Sequence, residues 1–323
     1  MNNGRLPRLA LTVGDVSGIG PEISVRVASN PAFRELCSFV LYGPETVILD
    51  AAQRFAPGFC ADIRPVGDLD PGRFEIGKPQ AACGRAAYDA VVTATRDALD
   101  GSVDAIVTAP VNKYAVTLAG IEFTGHTELV AELCGVKDFA MMQSDGDFRV
   151  AFVTTHIPLA EVPVYATRER IEKVARLLYE VCVAEGIREV RLACAAINPH
   201  AGENGCMGQE EETVVKPALA TLRSQGIKID GPFPPDTLFI ESTRKQYHGI
   251  VSMYHDQGHI PFKMIAFDRG VNSTLGLPII RTSVDHGTAF EIAWQGVADC
   301  GSLIQAVKVA AKRAMARRNG EQE

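Results

Sequence analysis

Three separate apolar runs each end on a histidine: VAFVTT leads into His156, RLACAAINP into His200 and GIVSMY into His255. Runs of this length and composition predict buried strands. In an open α/β sheet, ligands bind beyond the carboxyl ends of the strands, so imidazoles delivered there from distant sequence can converge on one point. Three neutral imidazoles make a transition-metal site with positions left open for a substrate. The plainer alternative is that each ring caps its strand and bonds a neighbour.

Other residues add to this chemistry. Asp256 follows His255 in YHDQGHIPFK, where a carboxylate can orient the ring, bind metal-linked water or carry a proton. His259 in the same run reads as a packing or surface residue. Lys263, Asn272 and Arg281 follow in loops or short strands rich in Gly and Pro. Together they would clamp a phosphate or carboxylate, Arg offering a planar fork and Lys a compact charge. Thr124-Gly125-His126-Thr127-Glu128 precedes the helical run LVAELCG. A helix start bearing a hydroxyl and an imidazole can hold an anion together with the orphan amides. An ordinary threonine N-cap accounts for Thr127 but leaves His126 unexplained. The turn Gly14 to Glu22 fits neither a Walker A loop nor the full dinucleotide fingerprint, so a structural turn and a binding role both remain open.

The elements that must position these groups alternate from end to end. Strands are predicted at Arg8 to Val13, Ser38 to Tyr42, Val103 to Thr108, Phe148 to Thr154, Glu189 to Ile197 and Gly249 to Met253. Helices are predicted at Pro21 to Ala28, Cys83 to Leu99, Thr167 to Glu185, around Glu210 to Gln225, and in the run FEIAWQGVAD. Such alternation favours a largely parallel sheet flanked by helices. No strong linker is visible, and the best boundary lies in Gly120 to Gly125, with a return to the first domain after His255. The expected domains are 1–125 with about 256–323, and about 126–255.

Composition narrows the function classes. The chain has 323 residues, 46% hydrophobic and 22% charged, with a formal net charge of -7. That is a globular composition with no basic surface for nucleic acid. No stretch approaches the length of a membrane span, and the start lacks the apolar core of a signal peptide. Eight cysteines without a CxxC pair suit reduced thiols in a cytoplasm.

HGTAFEIAWQGVAD resembles the adenosine-binding loop of the metal-dependent isocitrate and isopropylmalate dehydrogenases. More specifically, GIGPE, TAPVNK, TGHTE, INPHAGE, PPDTLF, YHDQG and GVNSTLGLPIIRTSVDHGTA, in this order, resemble the 4-hydroxythreonine-4-phosphate dehydrogenase family over nearly the whole chain. The resemblance implies an isocitrate/isopropylmalate dehydrogenase-like fold of two α/β/α domains with a cleft between them. It implies that His156, His200 and His255 bind a divalent metal (Zn, Co, Ni, Mn or Mg), with His255 reaching the metal of the partner subunit in a homodimer. It assigns substrate contacts to His126, Thr127, Lys263, Asn272 and Arg281, and the NAD or NADP pocket to Asp285, His286, Gly287, Thr288 and Ala289. The first domain would carry the cofactor loop, and the second the metal ligands and dimer contacts.

The implied reaction is oxidation of a small anionic β-hydroxy acid, followed by decarboxylation of the β-keto product, as in pyridoxine biosynthesis. Asp256 and Asp236 are the candidate proton carriers, with Lys113 a weaker one. Two stretches, His259-Ile260-Pro261 and Glu203-Asn204-Gly205-Cys206, depart from the family pattern and open the substrate choice. Alternatives are 4-phospho-D-threonate, 4-phospho-D-erythronate and the cis-dihydrodiol of terephthalate. From other classes, a three-histidine metallohydrolase or a non-catalytic anion-binding module would use the histidines but not the HGTA loop.

Overall fold

A computed structural model describes residues 5–320. The chain divides into two compact units, one built from the chain up to Lys137 and again from Leu277, the other from Asp138–Gly276. In chain order the strands are β1 (Arg8–Thr12), β2 (Ser38–Gly43), β3 (Asp62–Pro65), β4 (Ala105–Thr108), β5 (Ala140–Asp145), β6 (Phe148–Phe152), β7 (Arg191–Ala195), β8 (Lys228–Phe233), β9 (Gly249–Ser252), β10 (Val271–Leu275) and β11 (Ile280–Val284).

In the first unit the strands run in the order β3, β2, β1, β4, β11, every pairing parallel. Leu9 to Thr12 and Ala105 to Thr108 are buried along their full length, as a parallel sheet covered by helices on both faces requires. Helix Ala81–Leu99 lays Ala90, Val91 and Ala94 into the core. Helix Gly301–Gly320 closes on β11, where the Thr282 hydroxyl donates to the Ala306 carbonyl. Because all five strands are parallel, their carboxyl ends share one edge. That edge carries the glycine-rich turn after β1, the TAPVNK segment after β4 and residues Asp285 to Ala289 after β11.

The second unit has the order β10, β5, β6, β9, β7, β8. Its first two pairings are antiparallel and the rest parallel. Met142, Ile171, Leu178, Leu192 and Val251 belong to its core. Helix Arg168–Ala184 starts where the Thr167 hydroxyl accepts from the Arg170 amide, an N-cap of the ordinary kind.

Four sequence expectations meet a different structure. The first divide follows helix His126–Leu133 rather than preceding it, because Leu129 and Val130 join the core of the first unit. The chain returns only after β10, because Val271–Leu275 pairs with Ala140–Ser144 in the second unit. Lys263 lies on helix His255–Ala266, not in a loop; Phe262 and Ala266 are buried on that helix and hold it together through Pro261. The run FEIAWQGVAD forms only the short 3-10 turn Phe290–Ile292. Its amides at Gly296 and Ala298 donate instead to the buried Glu22 carboxylate, at 3.0 Å each, which removes them from any helical ladder. Among the described residues no helix is long and apolar enough to cross a membrane, and none of the eight cysteines is in a disulfide.

Candidate active site

β6, β9 and β7 are neighbouring parallel strands, so the segments leading to His156, His255 and His200 leave the sheet at one edge. The structure brings two of these rings together. The His156 and His255 ring centroids are 5.6 Å apart, and both residues line a cavity of about 360 Å³ with Tyr254 and Asp256. His255 Nδ1 lies 2.7 Å from Asp256 Oδ1. A carboxylate only accepts, so Nδ1 carries a proton, and in the neutral form of the ring Nε2 keeps its lone pair. An imidazole oriented this way by a carboxylate is the usual arrangement of a metal-ligating histidine.

His200 is not part of this pair. It sits, exposed, in Pro199–Gly205, where His200, Ala201, Gly202, Glu203 and Asn204 all have φ between 44° and 73°. Among the described residues, no group of three or more His, Cys, Asp or Glu stands ready to hold a metal ion within the single chain. The donor chemistry of His156 and His255 fits a divalent cation, and the third donor is not assembled with them.

Glu211 anchors the His200 loop and was not among the sequence candidates. Its buried carboxylate accepts from the Ile197 and Asn198 amides at 2.8 Å each and from the Asn198 side chain at 2.9 Å. Gln257 was also missed. Its carbonyl oxygen accepts from the Met253 amide at 2.7 Å, and its amide donates to the Ala196 carbonyl at 2.7 Å, tying the ends of β9 and β7 together. Gln257 stands close to His255 in sequence, whereas Glu211 lies well beyond His200, and nothing local says that either folds back.

Asp256 also faces a second cavity of about 350 Å³, where Asp236 lines the wall with Tyr254 and Gln257. The two candidate proton carriers therefore share one space. Also in the second unit, the Asn272 side-chain amide donates to Met141 Sδ at 3.3 Å, while its carbonyl oxygen is buried without a hydrogen-bond partner.

In the first unit, Arg281 is buried on β11. Its guanidinium donates to Thr108 Oγ1 at 2.9 Å and Thr127 Oγ1 at 3.2 Å. Thr127 thus spends its hydroxyl on Arg281 and does not cap its helix, whose N-cap is Gly125. Burial pushes the Arg281 guanidinium down to about 10, against the opposing pull of Glu128. His126 lies beside it, in edge contact with Phe123 at 5.9 Å, and its Nε2 is buried without a partner. Burial, reinforced by the charges of Arg281 and Lys113, pushes the His126 imidazole down to about 3. The ring is therefore neutral at physiological pH and offers a hydrogen bond, not a charge.

This shift has a pH signature. Above about 6.5 the ring is neutral in both the folded and unfolded chains, and stability is unaffected. As pH falls below that value the unfolded chain takes up a proton that the folded one refuses, so stability declines down to about 3. Part of the residue stays accessible, which sets the loss at pH 5 at about 1–2 kcal/mol. Urea unfolding at pH 7 and pH 5 should show His126→Leu losing less stability between the two than the native chain.

The glycine-rich turn and the HGTA loop are built against each other. Gly14 has φ +69°, and a Cβ there would meet the Pro110 carbonyl oxygen at 2.2 Å; one at Gly18 would meet the Thr288 oxygen at 2.7 Å. The Ile19 amide donates to the Thr288 carbonyl at 3.0 Å, and the Trp294 indole donates to the Val16 carbonyl at 2.9 Å. Asp285 is fixed by its amide, which donates to Ser302 Oγ at 3.2 Å. His286 Nδ1 is 3.0 Å from the Gly287 carbonyl, and both residues are exposed. Ala289 takes a left-handed φ of 40°. A Cβ at exposed Gly287 would meet nothing within 4 Å, and the loop follows β11 at the edge where the carboxyl ends of β1 and β4 also lie.

The chain is similar to known proteins over nearly its whole length. The family model described as pyridoxal phosphate biosynthetic protein PdxA matches residues 35–310. A 4-hydroxythreonine-4-phosphate dehydrogenase from Desulforapulum autotrophicum is 44% identical, over 95% of this chain and 96% of the relative. A D-threonate 4-phosphate dehydrogenase from Salmonella typhimurium is 42% identical, over 94% and 97%. A solved structure of 4-hydroxythreonine-4-phosphate dehydrogenase from Klebsiella pneumoniae superposes with a TM-score of 0.84 at 38% identity, covering 97% of this chain and 99% of that one. The chain therefore belongs to the PdxA family and is an oxidoreductase acting on a CH–OH group.

Proposed function

We propose that this chain oxidises the hydroxyl of a small 4-phosphorylated β-hydroxy acid and releases its carboxylate as carbon dioxide, with 4-hydroxythreonine 4-phosphate the foremost substrate. The observation that carries this reading is the buried Arg281 guanidinium, held by Thr108 and Thr127 beside His126. A buried cation with hydroxyl neighbours recognises a phosphate by charge-assisted hydrogen bonds. Full-length likeness to enzymes named for 4-phosphorylated substrates supports the same class. The 42% identity to a D-threonate 4-phosphate dehydrogenase supports 4-phospho-D-threonate as the second reading.

Asp285 to Ala289 would hold NAD or NADP, which would supply the hydride acceptor. His156, His200 and His255 would hold a divalent cation, which would supply Lewis acidity. The remaining work falls to the chain. Arg281, Thr127, Lys263 and Asn272 bind the anionic ends of the substrate, with Lys113 adding positive charge beside His126. Neutral His126 orients by hydrogen bonding without competing as a cation. Asp256 fixes the His255 ring, which leaves Asp236, across the shared cavity, as the main carrier of the hydroxyl proton. Eight cysteines and no disulfide among the described residues are in keeping with a cytoplasmic enzyme.

We also infer a homodimer with the active site shared between subunits. Helix His255–Ala266 and the residue after it expose Ile260 (58%), Met264 (83%) and Phe267 (70%) at helical spacing, an apolar stripe suited to a second copy. The 5.6 Å approach of His156 to His255 favours a second arrangement, in which one chain supplies both rings. Subunit exchange between His156→Ala and His255→Ala proteins separates the two. Sharing predicts recovered activity, because one hybrid site holds all three native histidines; no recovery after proven exchange means that the two rings act within one chain.

The substrate is decided by a panel containing 4-hydroxythreonine 4-phosphate, 4-phospho-D-threonate, 4-phospho-D-erythronate and the terephthalate cis-dihydrodiol. The phosphorylated acids should exceed the dihydrodiol by about 100-fold or more in kcat/KM, the worth of about 3 kcal/mol of phosphate recognition. Equal turnover of the dihydrodiol would contradict the role given to Arg281.

A further inference from the structure

We propose that His259 is a positioning residue, which fixes the plane of the His255 imidazole and so prepares its Nε2 to bind a cation. The inference rests on the functional reading above only in taking His255 as a metal ligand. His259 lies one turn beyond His255 on the same helix, where positions i and i+4 are neighbours. The two rings stack at 3.9 Å with an interplanar angle of 12°. The His259 ring is stacked in turn with Phe152, at 4.3 Å and 24°. Phe152, His259 and His255 thus form a column of rings that begins in the core and ends at the cavity shared with His156.

His259 is itself held at both nitrogens. Its Nδ1 is 3.1 Å from the His255 carbonyl, which can only accept, so Nδ1 carries the proton. Its Nε2 then accepts from the Gln143 side-chain amide at 3.4 Å. A ring pinned at two opposite points and buried to 6% exposure cannot swing, and it presents a flat, fixed face to His255. The Asp256 carboxylate holds one edge of the His255 ring, at Nδ1. That contact alone leaves the ring free to tilt about its hydrogen bond. The stack removes this freedom, and the two supports together aim Nε2 in one direction. A phenylalanine would supply the face but neither pin. A leucine would supply none of these.

The test uses the full-length protein, with cobalt(II) as the metal probe, and compares His259→Leu and His259→Phe with the native chain. Two readouts are taken: cobalt affinity by calorimetry, and the ring-current shift of the His255 ring protons by NMR in the metal-free protein. His259→Leu should weaken cobalt binding by about 10- to 100-fold, the usual effect of losing a residue that orients a ligand, and should abolish the ring-current shift. His259→Phe should keep the shift and stay within about threefold of native affinity. Unchanged affinity and an unchanged shift in a folded His259→Leu protein would overturn the proposal. If the leucine variant does not fold, loss of the shift by a folded His259→Phe protein would overturn it. No cobalt uptake by the native protein would overturn the metal reading instead, and the ring-current comparison would still decide whether His259 fixes the His255 ring.

Discussion

Arg281→Met should raise the KM for the phosphorylated substrate about 100- to 1000-fold and leave the protein folded. Two charge-assisted hydrogen bonds to a phosphate are together worth about 3–4 kcal/mol, which corresponds to that factor. Most of the loss should appear in KM, because a phosphate remote from the reacting carbon is bound equally in ground and transition states. Arg281→Lys restores the charge but not the planar fork held by Thr108 and Thr127, so it should recover only part of the affinity. Thermal stability should be unchanged or slightly higher in the methionine variant. Burial already depresses the Arg281 guanidinium to about 10, so its charge is held in the fold at a cost. A large fall in melting temperature with no change in KM would make Arg281 a structural residue instead.

Arg149→Met should have the largest effect on stability, a loss of about 3–5 kcal/mol. Arg149 and Glu185 form a buried ion pair, 2% and 6% exposed, with Nη2 to Oε2 at 2.6 Å. The guanidinium also donates to the Asp147 and His248 carbonyls at 3.1 and 3.2 Å. It therefore joins the start of β6, the entry to β9 and the end of helix Arg168–Ala184. Removing it strands the Glu185 carboxylate in the core. Adding Glu185→Leu should return most of the lost stability, because two apolar side chains carry no buried charge. Urea unfolding of both variants measures this. If the single variant is near-native, the pair contributes little.

The strands leading to the three histidines were legible because buried parallel strands are short apolar runs, and the place of ligands in such sheets is a rule of the fold class. The same holds for Arg281, His126 and Thr127, whose side-chain types speak for themselves, and which the structure brings together. What stayed hidden depends on contacts distant in sequence. FEIAWQGVAD looks helical by its apolar content, yet Glu22, more than 270 positions away, takes the amides at Gly296 and Ala298. The left-handed stretch from His200 to Asn204 contains a single glycine, so nothing local announces it; Glu211 holds the residues before it. His259 reads as packing from its place in the sequence. It does pack, but against His255, and only the helix register shows this.

The most direct measurement of the central claim is NADH formation and carbon dioxide release in one reaction, with purified protein, NAD, a divalent metal and 4-hydroxythreonine 4-phosphate or 4-phospho-D-threonate. The account predicts one carbon dioxide per NADH, loss of both on chelation and return of both when metal is restored. No NADH from either acid with NAD or NADP, or an undiminished rate under chelator, would contradict it.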